Sequence, residues 1–145
     1  MRISNCHQRT VAAPPERIAA LVADFDRVWP AEIAPAPRPR GGRRYDAGLM
    51  LWEEFDRLGA ARAFRVVRPD GLRAEHWFEL EPAEDGTMLR HVIEGQAHGK
   101  YEAIWRDRIE PLHDRILEAL LDNVQAAIAS DIMGWPGGVP DEAQN

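Results

Sequence analysis

Residues 109–128 read IEPLHDRILEALLDNVQAAI, and their spacing decides the fold. Ile109, Leu112, Ile116, Leu117, Leu120, Leu121, Val124 and Ile128 recur every three or four residues, which gathers them on one wide stripe of a helix. Arg106, Asp107, Arg108, Asp114, Arg115, Glu118 and Asp122 fall on the other side. A helix this long with one apolar side must lay that side on another apolar surface. Pro111 interrupts the pattern. It has no N–H to donate and its ring crowds the preceding turn, so a kink or break is expected near Ile109 to Pro111.

The surface for the helix lies just upstream. From Gly48 to Gly99 the apolar period becomes two, and three turn signals divide the region. They are Leu58-Gly59, Pro69-Asp70-Gly71 and Glu84-Asp85-Gly86. Four strands result, at roughly 49–57, 61–68, 72–81 and 87–97, and short connections make them an antiparallel meander. In the third, Leu72, Ala74, His76, Phe78 and Leu80 share the inward face. Arg73, Glu75, Trp77, Glu79 and Glu81 share the solvent face. In the fourth, Leu89, His91, Ile93, Gly95 and Ala97 point one way. Phe64 and Val66 point inward from the second. The first is ambiguous, because Leu49, Leu51 and Phe55 compete with Met50 and Trp52.

Further out, Arg2 to Ala12 fits a first strand. Pro14 and Pro15 suit a helix start, with Glu16 near its positive end. Ile18, Leu21, Val22 and Phe25 then form one helical face, and the helix, with a second short one, runs out near Trp29-Pro30. The stretch APAPRPRGG (Ala34–Gly42) is an extended edge or a surface loop, since proline donates no ladder hydrogen bond. One domain over 1–133 and a frayed Gly/Pro-rich tail over 134–145 are expected.

The 145 residues carry a formal net charge of -6. That balance disfavours nucleic-acid binding and docking on an anionic membrane. No apolar run approaches the length of a membrane span, and the start has no signal-peptide core. The single cysteine, Cys6, rules out an intrachain disulfide and reads as a small buried hydrophobe. A cytoplasmic protein, monomer or modest dimer, is expected.

Strands segregated from helices define an α+β fold. The stretches VAAPPERIAALVADFDRVWP (Val11–Pro30), LEPAEDGTMLRHVIEG (Leu80–Gly95) and EPLHDRILEALLDNVQAAI (Glu110–Ile128) also resemble, in order and spacing, the START/Bet v 1-like (SRPBCC) superfamily, including its polyketide cyclase/dehydrase-like members. The resemblance covers roughly residues 3 to 130. It implies a helix-grip fold, a curved antiparallel sheet wrapped around a long C-terminal helix, with an internal pocket. Its members bind lipids, sterols, hormones or polyketides, and some are aromatase/cyclases. The Pro- and Arg-rich stretch from Ala34 to Gly48 departs from the common pattern, at the expected pocket entrance.

Three histidines, His76, His91 and His113, fall on inward faces. A histidine in an apolar pocket can move protons on a bound ligand, which makes His76 and His91 the candidate catalytic groups. Taken singly, each reads first as a core residue with satisfied ring nitrogens. Two facing histidines fit a filled core poorly, however, and argue for a polar-lined cavity. Trp52, Phe64, Phe78, Ile93, Trp105 and Leu117 join the three histidines as candidate ligand contacts. Arg9 and Arg62 are candidates to hold an anionic group at the mouth. No metal-ligand spacing is present, so neither metal nor cofactor is expected. Three functions stay open: binding of an apolar small molecule, cofactor-independent cyclase/dehydrase chemistry, and protein interaction with a vestigial pocket.

Overall fold

The computed structural model describes residues 1–134 of the chain. A ten-residue strand, β1 (Arg2–Val11), leads into two short helices, α1 (Pro15–Val22) and α2 (Phe25–Val28). Pro15 stands in the first turn of α1, and the spacing read above buries Ile18, Leu21 and Val22. Then come β2 (Arg38–Pro39), β3 (Arg44–Ala47), β4 (Met50–Phe55), β5 (Arg62–Arg68), β6 (Leu72–Ala83) and β7 (Gly86–Ala97). The chain finishes in α3 (Tyr101–Ile104), a π-helical turn (Trp105–Ile109) and α4 (Glu110–Gly134).

The strands form one antiparallel sheet in the order β1-β7-β6-β5-β4-β3-β2. Pairing of β1 with β7 brings the first strand back beside the last, with His7 opposite His91. The Asp85-Gly86-Thr87 turn anchors this return. The buried Thr87 hydroxyl donates to the Ala13 carbonyl at 2.8 Å. Gly86 lies at φ 152° and so close to the Val11 carbonyl that a Cβ there would overlap it, which only glycine satisfies.

Two apolar clusters form between the sheet and the helices. The larger joins Ile18, Val22, Phe64, Leu89, Leu121 and Val124 under α1 and α4. The smaller joins Ile3, Leu72, Ile93, Trp105 and Ile109 at the other end. No helix among the described residues is long and apolar enough to cross a membrane.

The structure corrects several expectations. A further strand precedes the four expected: Arg44–Ala47 pairs with β4 and is too short to show a period. The helix does not break at Pro111. A π turn ends two residues earlier, at Ile109, and the following Glu110 N–H reaches back to the Trp105 carbonyl. That wider turn accommodates a residue with no N–H of its own. Trp77, on the charged face of β6, is only 5% exposed. The Arg57 guanidinium covers its ring at 3.6 Å, and its Nε1–H donates to Glu79 at 2.6 Å. Cys6 is exposed on the outer face of β1, because the inward positions of that strand are the odd ones, beginning with Ile3. Leu112, on the apolar stripe, is 39% exposed. Asp114, on the flank read as solvated, is half-buried against β1. Apart from Gly134, the tail expected over 134–145 lies outside the described residues.

Candidate functional site

A cavity of about 580 Å³ separates the sheet from α4. Alternation builds its wall from the sheet: Trp52 from β4, His76 and Phe78 from β6, His91 and Ile93 from β7. The helical period supplies the opposite wall, with Trp105 in the π turn and His113, Ile116, Leu117 and Leu120 on α4. The ambiguity of the 49–57 strand is settled by pairing. Trp52 stands opposite Val66 of β5, and Met50 and the buried Trp52 face the cavity, which Leu49 also lines while 69% exposed.

The Pro-rich stretch that departs from the common pattern frames the mouth. The Trp29 indole N–H donates to the Ala34 carbonyl at 2.8 Å, and both Ala34 to Arg38 and Asp46 to Met50 line the cavity, with Arg38 paired to Asp46 between β2 and β3. Arg38 and Arg108 stand on this rim with Leu112. Sequence reasoning missed both arginines as rim residues, because neither lies on an alternating or helical face that points to a mouth.

The arginines it named stand elsewhere. Arg9 bonds Glu118, Asp122 and Gln125 and clamps β1 to the outer flank of α4. Arg62 is nearly buried. It pairs with Glu54 at 3.1 Å, donates to the Val22 carbonyl at the end of α1, and lies 4.4 Å and 4.8 Å over the Phe25 and Phe64 rings. Its work is to tie α1 to the sheet. Phe64 does not reach the cavity. It is buried behind His76, with ring centroids 5.2 Å apart. The other eight residues expected to contact a ligand all line the cavity.

The polar chemistry of the site is concentrated in His76, His91, His113 and Trp52. His91 Nε2 lies 3.3 Å from His76 Nδ1. One of these nitrogens must carry the proton and the other must accept it. If His91 donates, His76 keeps an N–H on Nε2 and His91 a bare Nδ1. If His76 donates, the roles reverse. In both tautomers the pair retains one donor and one acceptor, and neither His76 Nε2 nor His91 Nδ1 has a protein partner. The Trp52 Nε1–H and both His113 nitrogens are likewise buried without one. Buried polar atoms in folded proteins nearly always have a partner. Five such atoms, on four residues, line this one cavity.

Burial holds all three histidines in the neutral form. It pushes His76 down to about 3, with help from nearby His113 and Arg62. It pushes His113 down to about 4, helped by His7 and opposed by Asp114. His91 is held well below the ordinary imidazole range by burial, then by His113, His76 and His7. A neutral imidazole with so low a pKa is a good hydrogen-bond partner and a poor base at neutral pH. His7, on β1, lies at the edge of the site. Its Nε2 is 2.8 Å from Asp114 and its Nδ1 2.7 Å from Glu118, and its ring centroid is 5.7 Å from that of His113.

This geometry, an open antiparallel sheet gripping a long C-terminal helix with two short helices after the first strand, is the START/Bet v 1-like helix-grip fold. No family model and no curated protein matches the sequence, but solved structures do. The protein TTHA0849 from Thermus thermophilus is 17% identical at a TM-score of 0.59, over 88% of this chain and 98% of that one. A START superfamily protein from Mycobacterium smegmatis is 17% identical at 0.55, over 89% and 97%. The di-domain ARO/CYC StfQ from the steffimycin biosynthetic pathway is 11% identical at 0.54, over 87% of this chain and 50% of that one. At these identities the likeness is one of fold.

Proposed function

We propose that this chain binds an apolar, ring-containing small molecule that carries carbonyl and hydroxyl groups. The observation that supports this is the 580 Å³ cavity with its apolar walls and unpartnered histidine and tryptophan nitrogens. A volume of this size suits one drug-sized ligand. The Trp52 N–H and the donor of the His76–His91 pair would meet a carbonyl oxygen, and the pair's bare nitrogen would meet a hydroxyl. Arg38 and Arg108 on the rim would favour a ligand with an acidic group at its outer end. A second reading, cyclase/dehydrase chemistry with His76 and His91 as acid and base, draws on the fold shared with the ARO/CYC protein. The lowered pKa values of the pair place binding ahead of it.

The test is native mass spectrometry of the purified chain, followed by titration with an anilinonaphthalene sulfonate probe. A co-purified or added apolar molecule at one per chain is expected. Leu117→Trp, which projects a larger side chain into the cavity, should weaken the probe at least about tenfold with an unchanged circular dichroism spectrum. A wild-type chain that takes up neither probe nor natural ligand would sink the binding proposal.

A further inference from the structure

Where β1 crosses α4, His7, His113 and Asp114 come together. Neighbouring residues on α4 supply two of them, and the odd-numbered face of β1 supplies the third. One ligand atom of each lies within 4.8 Å of the others. Asp114 Oδ1 is the hub, 2.8 Å from His7 Nε2 and 3.6 Å from His113 Nδ1. The second distance is too long for a hydrogen bond. His113 Nδ1 is buried and faces that carboxylate without a hydrogen bond to it. Two bonds of about 2.1 Å to a tetrahedral zinc ion set its ligand atoms about 3.4 Å apart. The observed 2.8 Å and 3.6 Å bracket that spacing.

We infer that His7, His113 and Asp114 form a binding site for a first-row divalent cation of the zinc type. His7 Nε2, His113 Nδ1 and Asp114 Oδ1 are the ligands. The surrounding groups are those that metal-bound residues require. Glu118 lies 2.7 Å from the other ring nitrogen of His7 and fixes that ring's orientation. Asn5 Nδ2 donates to Asp114 Oδ1 at 3.0 Å. Two imidazoles and one carboxylate select zinc, cobalt, nickel or copper over magnesium and calcium, whose sites are built from oxygens. Three protein ligands leave a coordination position open, as in catalytic rather than structural zinc sites. The site overlaps the cavity at one residue. His113 belongs to both, but His7 and Asp114 do not line the cavity. It departs from the expectation of no metal because His7 comes from the first strand, at the opposite end of the chain from α4.

The full chain, stripped with chelator, would be titrated with zinc, cobalt and magnesium ions. One zinc per chain and a raised unfolding temperature are expected, with the intense visible bands of four-coordinate cobalt and no response to magnesium. In the wild-type chain, ring 15N spectra should show the largest zinc-induced shifts at His7 Nε2 and His113 Nδ1. Glu118→Gln, at an exposed position, should weaken zinc about tenfold, and His7→Ala and Asp114→Asn more. His98→Ala, at an exposed histidine outside the cluster, should leave affinity unchanged. The inference is overturned by the absence of stoichiometric zinc binding, by shifts confined to other histidines, or by affinity that survives both His7→Ala and Glu118→Gln. An empty cavity in the mass spectra leaves these outcomes untouched, so the two proposals fail separately.

Discussion

Gly95→Ala should lower the thermal midpoint of unfolding by roughly 10 °C, a loss of about 3 kcal/mol or more. The usual expectation has the opposite sign, since alanine restricts the unfolded chain and fits a strand better than glycine does. Here there is no room. Gly95 sits opposite Ala74 in the β6–β7 pair. A Cβ on it would overlap the Arg73 carbonyl and lie 2.7 Å from the Ala74 Cβ. These atoms belong to the backbone and first side-chain carbon of a strand paired on both sides, so they cannot step aside as a flexible side chain would. The two strands carry His76, His91 and Ile93, so the same change should also distort the cavity wall and weaken probe binding. Gly48→Ala is the comparison. Gly48 has a positive φ of 78° but open space around it, and its change should cost only about 1 kcal/mol. Paired thermal melts decide the matter. Equal midpoints for the two variants would mean that the close approach of β6 and β7 is not a constraint.

Between pH 7 and pH 5 the chain should lose several kcal/mol of stability, with most of the fall below pH 6.5. His76, His91 and His113 are neutral in the folded chain, with pKa values depressed by burial to about 3, well below the ordinary range, and about 4. In the unfolded chain each returns to about 6.5. Below that value the unfolded chain takes up protons that the folded chain refuses. Stability is therefore complete above about pH 7 and drains away as pH falls toward the folded values. At pH 5 each histidine accounts for up to about 2 kcal/mol.

His7 works in the other direction. Burial alone would lower its pKa, but hydrogen bonds to Glu118 and Asp114 outweigh burial and raise it. Its contribution is full below about 6.5 and is lost as pH rises through the folded value, so it offsets part of the acid loss. Glu79, held low chiefly by its hydrogen bond from Trp77, and Glu118, held low chiefly by His7, begin to matter only below about pH 5. Urea unfolding at pH 7.5, 6 and 5 isolates the histidines. A flat stability over that range would show that the cavity histidines are protonated as readily in the folded chain as in water.

Features that repeat locally can be read from the chain alone. The stripe from Ile109 to Ile128 established the long helix. The alternation through His76, Phe78, His91 and Ile93 put the right side chains on the cavity face, because strand and helix periods are properties of the backbone. Phe64 shares that inward face yet lies behind His76, since depth within a face is set by packing. Alternation also fails where both faces of a strand are apolar. The 49–57 stretch could be read either way until Trp52 was paired with Val66. Local pattern says equally little about which distant charge meets which. Arg62 is buried because α1 folds back over the sheet and presents the Val22 carbonyl. Trp77 is buried on a charged face because Arg57 covers it. The cavity, its rim arginines and the meeting of His7 with His113 and Asp114 depend on register and curvature over nearly the whole length of the chain. Those are fixed only when the whole sheet closes on the helix.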